Sequence, residues 1–241
     1  MRVLVPYHLD EYRPGMDVPV SADVVVTQEF PEGGDVWGRM ALLYDEVAER
    51  VAEGVRAGQQ VTVISGDCTT SLGTVAGLQR AGLDPALVWF DAHGDVQTLE
   101  TSGSGYLGGF PLRMLVGYGR HLVADRIGLR DIVEERAVLV DGRDLDPPEA
   151  QYLRTAAIRQ RTVDDLGELP DGPLYLHVDF DVIADLPGLV FPAPGGPDQS
   201  RVAAAVQRVL DTGRVAAVGF ACIWHDGSGA AERVRPLMEL V

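Results

Sequence analysis

Apolar residues gather in short unbroken runs along the chain: Arg2–Pro6, Ala22–Val26, Gln60–Ser65, Ala86–Phe90, Ala137–Asp141, Leu174–Val178 and Val215–Phe220. Runs of this length without polar alternation predict strands covered on both faces. Between them the apolar positions recur at helical spacing in Val36–Val55, Thr69–Ala81, Pro148–Ala157 and Asp198–Leu210, and a further helix is expected after Gly227. Turn sequences such as Ala57-Gly58 and Pro170-Asp171-Gly172-Pro173 separate helices from the strands that follow. Strand alternating with helix predicts a three-layer α/β/α sandwich around a mainly parallel sheet. A single domain, residues 1–241, is the expectation for this length. In such a sheet ligands collect at the carboxyl ends of the strands, so the residues that follow each strand carry the functional information.

Those positions are rich in metal-ligand chemistry. After Ala86–Phe90 comes Asp91-Ala92-His93-Gly94-Asp95, and after Leu174–Val178 comes Asp179-Phe180-Asp181. Residues two apart in extended chain project to one side, so each run can present its polar side chains to a common centre. Four carboxylates aimed into one crevice would repel and take up protons unless a cation compensated them. An oxygen-rich set with one or two imidazoles suits manganese better than zinc. The alternative, helix-capping or solvated aspartates beside a buried histidine, accounts for each residue singly but not for two clusters together. Upstream, Gln60–Ser65 runs into Ser65-Gly66-Asp67-Cys68-Thr69-Thr70, which would bring Cys68 to the same crevice.

Charge narrows the choice of ligand. The formal net charge of −16 argues against nucleic acid and anionic membrane surfaces as partners, and favours a divalent metal or a cationic substrate. No apolar stretch approaches the ~18 residues of a transmembrane helix, and Met1–Pro6 reads as a strand rather than a signal peptide, so a cytoplasmic protein is expected. Two cysteines, Cys68 and Cys222, cannot build a disulfide framework and are expected as thiols.

The three motifs, in this order on three strand ends, resemble the ureohydrolases, which include arginase, agmatinase and formimidoylglutamase. Their signature is Gly-Gly-Asp-His, then Asp-Ala-His-x-Asp, then Asp-x-Asp. The second and third match intact, and the first differs at Ser65 and Cys68. The resemblance implies two manganese ions held by Cys68, Asp91, His93, Asp95, Asp179 and Asp181. Activated water would attack the amidine carbon, with Asp95 also accepting a hydrogen bond from it as a catalytic group. The pattern continues through Gln97 and Ser104, which the resemblance assigns to the amino acid carboxylate. Gly142-Arg143-Asp144-Leu145-Asp146-Pro147 is similar to an arginase loop whose last aspartate meets the α-ammonium, which makes Asp146 a substrate residue; the stretch also fits a plain strand end and helix start. Members of the family often form dimers, trimers or hexamers, so homo-oligomerisation is consistent with the resemblance.

Three departures bear on the substrate. Cys68 replaces a histidine and is a softer ligand than manganese usually takes. Gly108 stands where arginases place a histidine thought to shuttle protons, a function worth roughly 10²–10⁴-fold. The late strand Val215–His225 carries no carboxylate to pair with a guanidinium. A hydroxyguanidine is less basic, can enter neutral and brings its own hydroxyl. The chain therefore resembles in character the Nω-hydroxy-L-arginine amidinohydrolases of cycloserine-type antibiotic biosynthesis, which imply a small cationic or neutral guanidino-type substrate and release of ornithine and hydroxyurea. A non-catalytic metal-binding relative, or a hydrolase of another guanidino or formimidoyl compound, is the alternative.

Of the remaining histidines, His177 shares a face with Asp179 and is expected to orient the carboxylates or pack beneath them, with ligation or proton transfer the alternative. His225 is expected to line the pocket. His8 and His121 have no supporting neighbours in sequence and are expected to be bystanders.

Overall fold

The computed structural model describes residues 1–221 and 224–241. In chain order its elements are β1 (Arg2–Val5), β2 (Tyr7–His8), β3 (Glu11–Tyr12), β4 (Val24–Val25), α1 (Val36–Arg56), β5 (Val61–Ser65), α2 (Ser71–Arg80) and β6 (Ala86–Asp91). There follow α3 (Pro111–Leu115), α4 (Ala124–Ile127), β7 (Ala137–Asp141), α5 (Pro147–Leu153), β8 (Arg159–Arg161), β9 (Leu174–Asp179), α6 (Gln199–Leu210), β10 (Val215–Ala221) and α7 (Ala230–Met238). Among the described residues eight strands form one sheet in the order β4-β1-β5-β10-β9-β6-β7-β8, parallel at every pairing, while β2 and β3 form a separate antiparallel pair.

Alternation along the strands divides the interior into two cores. Leu174, Leu176 and Val178 of β9 join the core under α6 and α7, where Val202, Val206, Val234 and Leu237 are buried. Tyr175 of β9 turns to the other side with Leu87 and Trp89 of β6, against the buried stripe of α1 and α2. The three-layer α/β/α arrangement expected from the sequence is therefore what the chain builds.

Three elements depart from the sequence pattern. The strand β8, Arg-Gln-Arg, is polar and was invisible to an apolar search; it pairs with β7 at the sheet edge, where charged residues are tolerated. The helix expected to reach Ala157 ends at Leu153, because the Thr155 N–H donates to the Tyr152 carbonyl three residues back and tightens the chain into a turn. Short helices within 111–127, rather than one long element, carry the chain from the site back to β7.

What positions the site is the strand order. The chain leaves β5 and enters β6 three places along the sheet, and β10 and β9 later fill the gap. The crevice at the carboxyl ends of β5, β9 and β6 is thus a topological switch point, where loops of opposite connection diverge.

Candidate metal centre and substrate cavity

The loop after β5 is drawn inward by backbone bonds. The Gly66 N–H donates to the Tyr7 carbonyl at 2.9 Å, and a Cβ at position 66 would collide with that carbonyl, which explains the glycine. Asp67 then caps the turn: its Oδ1 accepts from the Thr69 N–H at 2.8 Å and its Oδ2 from the Leu9 N–H at 2.6 Å. Cys68 is left buried, its Sγ 2.9 Å from Asp179 Oδ2. Its fellow cysteine, Cys222, lies outside the described residues.

The second and third motifs reach the crevice by tight turns, not by extended chain as the alternation suggested. Only Asp91 ends a strand in the first; Asp95 adopts a left-handed φ of 54°, which an aspartate tolerates better than most residues. In Asp179-Phe180-Asp181 the chain enters a single 3₁₀ turn, with Asp179 Oδ1 accepting from the Asp181 N–H at 2.9 Å. Asp91 Oδ1 likewise accepts from the His93 N–H at 2.7 Å, and Asp181 Oδ1 accepts from the Ala92 N–H at 2.9 Å. His93 Nδ1 lies 2.6 Å from Asp181 Oδ2 and 3.6 Å from Asp91 Oδ1.

Two triads of donor atoms result, each with all atoms within 4.8 Å of one another: Asp91, His93 and Asp181 in one, Cys68, Asp91 and His177 in the other. Asp95 lies in the same charged cluster, and its buried Oδ2 has no hydrogen-bond partner. Burial, then the neighbouring Asp181, pushes Asp179 up to about 7; burial and Asp91 push Asp181 up to about 6. Burial with Asp91 and Asp179 raises Asp95 well above the ordinary carboxylate range, and burial, followed by Asp179, Asp95 and Asp91, raises the Cys68 thiol. Burial opposes a charged His93, but its bonds to Asp181 and Asp91 outweigh this and push it up to about 12. The buried negative charge thus exceeds what the one imidazolium balances. With an unpartnered carboxylate oxygen and a donor set of carboxylates, imidazole and thiol, these residues fit a pair of divalent cations.

His177 sits one layer below. Its Nδ1 lies 3.0 Å from Ser71 Oγ and 3.2 Å from Tyr175 Oη, its ring stacks on Trp89 at 3.7 Å, and its buried Nε2 has no partner. Burial pushes this imidazole down to about 3, so it is neutral.

The donor cluster opens into a cavity also lined by Gln97, Ser104, Asp146 and Glu149. Gln97 Nε2 donates to Asp146 Oδ2 at 2.8 Å. Asp146 precedes α5, and Glu149 locks it there: Oε2 accepts from the Asp146 N–H at 3.0 Å and Oε1 from the Val96 N–H at 3.2 Å, tying the α5 start to the Asp95 loop. Ser104 lies at the exposed rim, where its Oγ accepts from the Tyr106 N–H at 3.2 Å. All nine residues singled out in the sequence for metal or substrate thus converge on one crevice. Behind it, Arg143 bonds the Asp141 carboxylate and donates to the carbonyls of Asp181 at 3.0 Å and Pro194 at 3.0 Å, pinning the third motif to β7.

Two expectations are corrected. His8 is not without a neighbour: the Asp67–Leu9 bond fixes its segment, and its Nε2 lies 2.8 Å from Oη of the cavity residue Tyr106. His225 does not line this cavity; its N–H donates to the Gly188 carbonyl and its side chain faces a separate depression with Tyr12 and Arg13. His121 is exposed.

Sequence reasoning also passed over Tyr106, Phe191 and Glu149. The Tyr106 ring covers Gly108 and meets Phe191 at 4.6 Å, forming one wall of the cavity. Burial, and then the negative groups Asp67, Cys68, Asp179 and Asp95, raise the phenol's pKa, so it stays protonated. The one available signal was a large aromatic two residues before a glycine in a glycine-rich stretch.

Comparison with known proteins identifies relatives of this chain. The chain is 27% identical over 194 residues to arginase of Bacillus subtilis (strain 168), covering 73% of this chain and 65% of that protein. It is 32% identical over 143 residues to the Nω-hydroxy-L-arginine amidinohydrolase of Streptomyces lavendulae, covering 57% of this chain and 50% of that one. The chain therefore spans about half to two thirds of the length of these curated relatives. The solved arginase of Bacillus caldovelox superposes with a TM-score of 0.81 at 25% identity, covering 98% of this chain and 95% of that one. The family model described as the arginase family matches residues 7–223, the full run from β2 to the end of β10, and the chain belongs to the arginase family.

Proposed function

We propose that this protein hydrolyses a C–N bond of a guanidino-type α-amino acid, with Nω-hydroxy-L-arginine the substrate that fits best and ornithine and hydroxyurea the products. The observation that carries the reading is that one cavity is lined both by the carboxylate, imidazole and thiol cluster and by the bonded pair Gln97 and Asp146. Cys68, Asp91, His93, Asp95, Asp179 and Asp181 would hold two divalent ions, manganese by the oxygen-rich donor set, and these supply activated water. The unpartnered Asp95 Oδ2 is the acceptor available to the proton of that water. Asp146, bonded to Gln97, supplies the negative charge for an α-ammonium, while Gln97 and Ser104 address the α-carboxylate at the rim.

The choice of a hydroxyguanidine rests on what the site lacks. Position 108 carries no imidazole, and its space is filled by the Tyr106 ring. The stretch Val215–His225 holds no carboxylate to anchor a guanidinium cation. A less basic substrate that enters neutral suffers least from both losses. A relative carrying the name Nω-hydroxy-L-arginine amidinohydrolase supports the same direction.

The test is release of urea and hydroxyurea from manganese-loaded protein given arginine, Nω-hydroxy-L-arginine and agmatine in parallel. Hydroxyurea release in excess of urea release is expected, with agmatine untouched. Turnover of arginine alone would sink the substrate assignment, and no turnover of any of the three would sink the activity.

A further inference from the structure

We propose that His177 is itself a metal ligand, entering through Nε2 at the position bounded by Cys68 and Asp91. The inference rests on the reading above that the cluster holds divalent ions. It adds a residue that lies outside all three strand-end motifs.

The geometry is specific. Donor atoms of Cys68, Asp91 and His177 lie within 4.8 Å of one another, and all three residues are buried. Of the two ring nitrogens, Nδ1 is engaged by Ser71 Oγ and Tyr175 Oη, whereas Nε2 makes no hydrogen bond. An imidazole that donates its Nδ1 proton to hydroxyl oxygens presents a lone pair at Nε2, the tautomer a metal requires. A buried polar atom left unpaired is destabilising, and no protein group offsets that cost at Nε2.

The surroundings hold the ring in that pose. Trp89 stacks on it from β6, and the Trp89 indole N–H donates to Asp91 Oδ2 at 3.0 Å, so one residue orients two of the three members of the triad. Gly219 lies opposite His177 in the β10–β9 register, and a Cβ there would overlap the Tyr175 hydroxyl that steadies Nδ1. Packing alone explains the stacked ring but not an unpartnered buried nitrogen on a residue grouped with a thiol and a carboxylate. Chemistry points the same way: a lone soft thiol among carboxylates is a poor manganese donor, and an imidazole beside it supplies a nitrogen donor that manganese accepts.

The decisive measurement uses the unaltered full chain with ¹⁵N-labelled histidine. Long-range ¹H–¹⁵N correlation spectra are recorded as ¹¹³Cd²⁺ is added to metal-free protein. The expected result is that the His177 Nε2 resonance moves and gains a coupling to cadmium. Cadmium uptake with that resonance unmoved, or no uptake at all, overturns the proposal. In parallel, His177→Gln is expected to weaken manganese binding at one of two positions by more than about a hundredfold, beyond the usual loss from an orienting partner. Adding Cys68→His to that variant returns an imidazole to the same position and is expected to recover the affinity. Unchanged affinity in His177→Gln overturns the proposal; if that variant fails to fold, the cadmium spectrum of the unaltered chain decides. Absence of turnover with His177 coupled to cadmium would refute the proposed activity and leave this ligand standing.

Discussion

Tyr106 occupies the volume that any side chain at position 108 would need: a Cβ added to Gly108 would lie 2.5 Å from Tyr106 Oη and closer still to the ring. The two positions are therefore sterically coupled. Gly108→Ala should destabilise the fold by about 1–3 kcal/mol through overpacking. In the Tyr106→Ala background the same change should cost little. Thermal unfolding of the four variants gives the coupling directly, and additive losses would show that the wall accommodates both groups.

Metal-free protein should lose stability as pH rises. Asp179 and Asp181 have folded values of about 7 and 6, above the usual carboxylate value near 4, so the folded state binds more protons than the unfolded one in between. Their contribution is complete below about pH 4 and is lost as pH climbs through 6 and 7. Chelated protein should melt at least about 5 °C lower at pH 8 than at pH 5, a change of a few kcal/mol for a chain of this size. Excess manganese should abolish that difference. A flat profile without metal would contradict the electrostatic account of the site.

Asp95→Asn should separate stability from function. It removes a buried carboxylate that has an unpartnered oxygen and is opposed by Asp91 and Asp179. The metal-free variant should be about 1–3 kcal/mol more stable than the parent at pH 8, because charge burial is relieved. Turnover should fall by two orders of magnitude or more. Denaturant titration and a rate assay on the same preparation check both halves.

Asp146→Asn should act on binding. The Asp146 N–H donates to Glu149 Oε2 at the α5 start, and an asparagine caps a helix as well as an aspartate, so the helix survives the substitution. What is lost is an anion facing an ammonium, worth about 1.5–3 kcal/mol. KM for an α-amino substrate should rise at least tenfold with kcat little changed, while affinity for a substrate lacking the α-amino group should stay within about twofold.

The strand ends and the order of the motifs were legible from sequence because they depend on local chemistry: apolar runs stop, and polar donors follow. The metal-type residues could be collected from those ends alone. The cavity wall could not. His8 meets Tyr106 across 98 residues of chain, through a hairpin hung on Asp67, and no local pattern encodes that approach. His177 was visible as a face-sharing neighbour of Asp179, but the freedom of its Nε2 follows from where Ser71 and Tyr175 spend their hydroxyls. The straight-chain picture of Asp91-Ala92-His93-Gly94-Asp95 reached the right crevice for the wrong reason, since the turn at Asp95 does the aiming.

Asp91 belongs to both donor triads, and Trp89 and the His93 backbone hold one of its oxygens each. A single carboxylate shared in this way makes the two cation positions one thermodynamic system. If both positions take a cation, charge that Asp91 gives to the first ion would be withdrawn from the second, so the two uptake steps should differ in affinity even with similar donors around them. By linkage the reverse also holds: stripping the weaker ion with a chelator should tighten the grip on the one that remains.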